Sequence, residues 1–265
     1  MFHGLDNTHL YCAYLFECEF ADAIGNTKTF GGTGFWIKDG QSISLVTNRH
    51  VLDVQYKDAT YKDWTLNELV VVGKAIDPAT GKPDLEQRLR VANPDIRYSK
   101  TPENDVAVIV DPAVDVIGGG EFKPINYWIN RALLATAEEF ETKIQICDFV
   151  AFPGYPPWHD KRERRPILRT GAVASDPRYN YSWTAESCGD CIAYEAFSYG
   201  GSSGSPVFAV QKGLSPGPGI SFPGFRELRL IGINAGHLDT DNDAHSGISY
   251  MFKSSAIIDI LNDAK

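Results

Sequence analysis

The chain has 265 residues, a formal net charge of −9, 43% apolar residues and five cysteines. The acidic balance argues against a nucleic-acid partner, because phosphate binding needs a basic face, and no apolar run is long enough to cross a bilayer. The length suits one large unit or two small ones, and the opening Met1–Asn7 has neither a basic nor an apolar leader segment, so the expected compartment is cytoplasmic.

Short strand-like runs fill the first half. Leu10–Phe20 alternates, imperfectly, between apolar and polar residues. Thr33–Lys38 and Ser42–Thr47 flank Asp39-Gly40, which predicts a hairpin. The second of these runs leads into Thr47-Asn48-Arg49-His50-Val51, placing a histidine directly after a strand. Leu69–Val72 reads as another strand, and the proline- and charge-rich stretch Asp77–Lys100 as a surface insertion or hairpin. Asn104-Asp105-Val106-Ala107-Val108 then puts a carboxylate at the mouth of a strand.

The pattern changes over residues 126–143, where Ile129, Leu133, Leu134, Ala137 and Phe140 recur at helical spacing. This predicts a helical connector. Strands resume with Ile144–Ile146 and Phe149–Ala151, and Lys161–Arg165 is a charged loop, solvated or in regulatory contact. Cys188-Gly189-Asp190-Cys191 admits three readings: reduced structural thiols, a local disulfide, or half of a zinc site. Asp239–Asp243 looks like the opening of a calcium loop, but Ala244 replaces the required glycine and the distal glutamate is missing, so it reads as a solvated acidic loop. Ser254–Leu261 predicts a capped amphipathic helix.

The most chemical stretch is Gly201-Ser202-Ser203-Gly204-Ser205-Pro206, followed by apolar Val207-Phe208. A serine hydroxyl needs a base to become a nucleophile and amides aimed at the oxygen where charge develops. His50 supplies a base and Asp105 a carboxylate to orient it, and the order His50, Asp105, Ser203 is one of the chain orders of the Ser-His-Asp triad. Gly200-Gly201-Ser202-Ser203-Gly204 also satisfies G-x-S-x-G, with Ser202 as nucleophile and Asp239 and His245 as partners, the pattern of an α/β-hydrolase esterase. That elbow requires a helix after the serine, whereas Pro206–Val210 reads as a strand.

These segments resemble the trypsin/chymotrypsin superfamily, and most closely its HtrA-type bacterial branch. The resemblance rests on Gly32–Ile37, Val46–Val51, Asn104–Val108, Gly171–Ser175, Gly201–Pro206 and Ile231–Ala235, in the family's order. It implies an all-β chymotrypsin-like fold: two antiparallel six-stranded Greek-key β-barrels with a connecting helix and a C-terminal helix. The corresponding boundaries are 1–125 for the first barrel, 126–143 for the connector, 144–253 for the second barrel and 254–265 for the terminal helix. It implies a serine endopeptidase acting on protein or peptide substrates, with His50, Asp105 and Ser203 as triad and the amides of Gly201 and Ser203 as oxyanion hole. No metal or organic cofactor is implied.

By the same resemblance Phe197 lies at the floor of the S1 pocket, and Ala235-Gly236 and Gly247 line its walls, pointing to an apolar P1 residue. Ser202 stands where secreted members carry the aspartate that pairs with a newly cut N-terminus, so control is expected through loops or a regulatory partner. The rival from another class is a proteolytically silent barrel that binds peptides or a partner protein.

Overall fold

The computed structural model describes residues 5–214 and 224–264; residues 1–4, part of the segment read above as lacking a leader, lie outside them. Among the described residues no helix is long and apolar enough to cross a membrane. After a short helix α1 (Asn7–Tyr11), the first half builds β1 (Ala13–Ala21), β2 (Thr27–Asp39) and β3 (Ser42–Thr47). A four-residue helix α2 (Arg49–Leu52) follows, then β4 (Thr65–Ala75), β5 (Leu85–Ala92), β6 (Ile96–Tyr98), β7 (Ala107–Val110), β8 (Ala113–Val116) and the short β9 (Ile129–Asn130). They pair in the order β6-β7-β3-β2-β1-β4-β5-β8, a curled sheet, with β9 added in parallel to β2.

Side-chain alternation drives this sheet. In β1, Tyr14, Phe16, Cys18 and Phe20 are buried, while Leu15, Glu17 and Glu19 are less so. The buried set packs with Trp36, Leu45, Leu69 and Leu89 into one core. The Asp39-Gly40 hairpin forms as expected, with Asp39 paired to Ser42. The stretch after Asp77 does more than decorate the surface. Its Leu85, Gln87, Leu89 and Val91 face inward on β5, while Arg88 and Arg90 form ion pairs with Glu17 and Glu68.

The connector is less helical than its spacing predicts. Ile129 is drawn into β9 against Ile37, a single turn of 3-10 helix covers Arg131–Leu133, and α3 (Ala137–Thr142) has six residues. A capping box starts α3: Thr136 Oγ1 accepts from Glu139 N, and Glu139 Oε2 accepts from Thr136 N. Tertiary pairing of Ile129 overrides the helical period there.

The second half is a closed barrel of β10 (Phe149–Gly154), β11 (Ile167–Val173), β12 (Cys191–Glu195), β13 (Pro206–Ala209), β14 (Arg229–Asp239) and β15 (His245–Lys253). The strands close in the order β10-β11-β12-β15-β14-β13. Helix α4 (Ser254–Asp263) follows directly. Ser254 does not cap it as the sequence predicts; Lys253 occupies the cap position and the Ser254 hydroxyl donates to Ala135 O at 2.6 Å. A core of Phe35, Val46, Val108, Phe208, Ile233 and Ile257 joins the sheet, the barrel and α4. The chain is thus an all-β, chymotrypsin-like fold with a C-terminal helix.

Candidate active site

Thr33 on β2 anchors both elements that carry the predicted chemistry. Its carbonyl accepts the Thr47 hydroxyl at 2.7 Å, just ahead of the His50 helix, and its amide donates to Ser203 O at 2.8 Å. The Thr33 hydroxyl also donates to Gly201 O at 2.6 Å. One residue of the first sheet therefore ties the histidine segment to the serine turn.

His50 lies in α2, one turn beyond β3. Asp105 is fully buried just before β7 and clasps His50 twice. Its Oδ1 accepts the His50 backbone amide at 2.9 Å and its Oδ2 meets the ring Nδ1 at 2.5 Å. An ionised carboxylate only accepts, so the proton of that bond sits on Nδ1 and Nε2 carries the lone pair. Asn48 Nδ2 holds the Asp105 carbonyl at 2.7 Å, which fixes the backbone as well. Burial alone would raise the Asp105 pKa; His50 and then Lys57, whose ammonium lies 2.7 Å from Oδ2, outweigh it and hold the carboxyl below its ordinary range.

The serine turn is arranged around its carbonyls. Those of Gly201 and Ser203 are bound by Thr33, and that of Ser202 accepts from Asn234 Nδ2 at 2.8 Å. Asn234 is itself oriented by Tyr194, whose hydroxyl donates to Oδ1 at 2.6 Å. The amides of Ser202, Gly204 and Ser205 donate to backbone carbonyls. Those of Gly201 and Ser203 donate to none among the described residues. The turn depends on Gly201 and Gly204, at φ +82° and +89°; a Cβ on Gly204 would also run into the Thr33 carbonyl.

Ser202 and Ser203 differ sharply in access. Ser202 is buried with its hydroxyl unpartnered, whereas Ser203 is partly exposed. Pro206–Ala209 forms a strand, so the helix required by a Ser202 nucleophile elbow is not there, and Asp239 and His245 face each other as neighbours in β14 and β15. Among the described residues the Ser203 hydroxyl makes no hydrogen bond, with His50 or any other group.

The residues predicted around S1 are spread over a ring-lined surface. Phe197 is 52% exposed, with its ring 4.8 Å from that of His245. A Cβ built on Gly247 would lie 3.8 Å from Phe197 Cζ, so these two residues are neighbours. Ala235 is buried, and Gly236 lies against the Tyr250 ring while its carbonyl accepts the Ser198 hydroxyl at 3.1 Å. Sequence reasoning missed the stack of His245 on His237, centroids 4.2 Å apart, and Tyr199 beside them. Burial, followed by the neighbouring His237, pushes the His245 pKa down. The strand register of β14 and β15 creates this stack, and no short motif marks it.

Lys57 was also missed, because nothing in Val54-Gln55-Tyr56-Lys57 distinguishes it from any surface lysine. The cysteines Cys12, Cys18, Cys147, Cys188 and Cys191 are all free thiols. Among the described residues no three His, Cys, Asp or Glu side chains gather as a metal site.

A family model described as "Trypsin-like peptidase domain" matches residues 32–214. Among solved structures, the thermostable serine protease AL20 from an extremophilic microorganism is similar over 97% of this chain and 98% of its own, with 13% identity and a TM-score of 0.52. Deg5 is matched over 94% of this chain and 87% of its own, with 16% identity and a TM-score of 0.46. No curated protein sequence matches.

Proposed function

The chain belongs to the trypsin-like peptidase family and is a serine endopeptidase of that kind; from this premise we propose that His50, Asp105 and Ser203 form its catalytic triad. The observation that carries this reading is the double clasp of Asp105 on His50, ring and backbone amide together. Thr33 couples it to a turn whose Gly201 and Ser203 amides have no acceptor among the described residues.

In the reaction, the substrate carbonyl oxygen lies against the Gly201 and Ser203 amides, and the Ser203 hydroxyl donates to His50 Nε2. Catalytic hydrogen bonds of this kind often tighten only when substrate is bound. His50 takes the proton as Oγ attacks; the two amides stabilise the oxyanion, and Asp105 stabilises the imidazolium without taking its proton. His50 then protonates the leaving amine. Water repeats the sequence on the acyl-enzyme.

The ring surface of Phe197, His245 and Tyr199, with no acidic side chain at position 197, supports an apolar P1 residue. Asp239, opposite His245 across the strands, already meets His237 Nε2 at 3.2 Å, so a lysine or arginine there would have to compete for that carboxylate. Since Ser202 cannot pair with a new N-terminal amine and Asn234 holds the Ser202 carbonyl instead, the enzyme is not switched on by N-terminal cleavage. Narrow specificity or a regulatory partner restrains it. Five free thiols support a reducing, cytoplasmic compartment.

A fluorophosphonate probe tests the assignment. It is expected to label Ser203; Ser203→Ala abolishes labelling and peptide cleavage, while Ser202→Ala and Ser205→Ala retain both. Labelling on Ser202 would reverse the nucleophile, and a folded wild type that resists the probe under all conditions would favour the silent peptide-binding barrel.

A further inference from the structure

Asp105 Oδ2 is shared by two nitrogen donors of different chemistry. His50 Nδ1 approaches it at 2.5 Å and Lys57 Nζ at 2.7 Å, so the two nitrogens lie no more than about 5 Å apart by geometry. Lys57 follows the single 3-10 turn Val54–Tyr56 that leaves α2, and its ammonium also donates to Tyr250 Oη at 3.3 Å and Ala235 O at 3.4 Å. Besides His50, Lys57 is the side chain that meets the Asp105 carboxylate among the described residues. The side chain is 39% exposed, yet its charged end meets a carboxylate that is not exposed at all.

The surroundings show that this ammonium is held in place. Lys57 and Asp105 share the wall of a cavity of about 300 Å³ with Tyr56, Glu103, Trp183, Cys188, Tyr250 and Phe252. Trp183 packs on Tyr250 with centroids 4.4 Å apart, which fixes the phenol that accepts from Lys57. The titratable groups around Lys57 are therefore Asp105 and His50 in front, Tyr56 on its own turn, Glu103 ahead of β7, Tyr250 on β15, and the thiols Cys188 and Cys191. Burial pulls the Lys57 pKa down, but Asp105 and then Tyr250 outweigh it and raise it, so the ammonium keeps its charge across the working range.

We propose that Lys57 is a positioning residue for the triad: it pins Asp105 through the oxygen that also holds the His50 ring and offsets part of its charge, which sets the pH below which the site switches off. The proposal rests on the triad reading above. A buried carboxylate alone beside an imidazole favours the protonated, inactive ring; a cation on the same oxygen opposes that. Neutralising Lys57 therefore makes the ring hold its proton to higher pH. Removing the cation is therefore expected to move the acidic limb of the labelling rate by on the order of one pH unit.

The test is the rate of fluorophosphonate labelling measured from pH 4 to 9 on the full chain. In Lys57→Met the acidic limb moves up by about one unit; Lys57→Arg, which keeps the charge, leaves the limb in place. Lys57→Gln separates charge from hydrogen bonding, since it can still donate to Asp105: its limb moves as in Lys57→Met, and it serves if the Met variant does not fold. A limb that stays put in a folded Met or Gln variant, or moves down, overturns the proposal even if the plateau rate falls, because a merely structural role lowers the plateau alone. Failure of the triad reading looks different. There the wild-type rate lacks an acidic limb, or His50→Ala labels as fast as wild type.

Discussion

Two buried aspartates, one in each half of the molecule, are placed alike and held differently. Asp105 precedes β7 and Asp148 precedes β10; they are 0% and 3% exposed. Asp148 is held by Arg226 at 3.4 Å, by Lys212 at 3.2 Å and by the Gln145 amide at 2.9 Å. Arg226 is itself buried and also binds the carbonyls of Ala209 and Val210, so this carboxylate staples the end of β13 to β10. A guanidinium does not release its proton near neutral pH. Asp105 has an imidazole in the corresponding place, a partner whose charge can change. The same burial that makes one aspartate a strut gives the other, in the reading proposed above, its place beside the general base.

Exchange of each carboxylate for its amide separates the two. Asp105→Asn should have the larger effect: a loss in kcat on the order of 10⁴, because an amide can no longer hold the Nδ1–H tautomer. Thermal melting should show the variant still folded, and activity within tenfold of wild type would erase the contrast. Asp148→Asn should do the reverse. Activity per folded molecule stays near wild type, while denaturant unfolding loses about 3 kcal/mol, since Arg226 is left buried without its partner.

A smaller effect sharpens the comparison through pH. The folded Asp105 carboxyl is held below its unfolded value of about 3.9, so the unfolded chain binds more protons in the window between the two. Its contribution is therefore fully present above that unfolded value and is lost as pH falls through the lower folded one. The stability gap between wild type and Asp105→Asn, measured by urea unfolding, should narrow by about 2 kcal/mol on acidification from pH 6 through this window. A gap that widens instead would mean that the carboxylate is not stabilised by His50 and Lys57.

What could be read in the sequence divides along the same physical line. The Asp39-Gly40 hairpin, the alternation in β1 and the helix starting at Ser254 are local patterns, and they carried over. The resemblance in the His50, Asp105 and Ser203 segments rests on residues close to one another in sequence, each with glycines or apolar runs beside it. Partners brought together by strand register leave no such trace. Lys57 meets Tyr250 and Ala235 from the far half of the chain, and His237 meets His245 through the β14–β15 pairing. Ile129 was misjudged for the same reason: its spacing is helical, but its burial is settled by β2.

The hold of Thr33 on the serine turn has a consequence for how the enzyme fails. Both carbonyls that Thr33 binds belong to the turn that presents the Gly201 and Ser203 amides, and Thr33 itself belongs to the other half of the fold. Any breathing motion that parts the sheet from the barrel lets go of that turn and opens the core the two share, while the first sheet's own core around Trp36 stays closed. Turnover thus becomes a gauge of docking between the halves: under heat or denaturant it should fade ahead of the loss of tryptophan burial, and a half-assembled chain emerging during synthesis would be harmless to its neighbours.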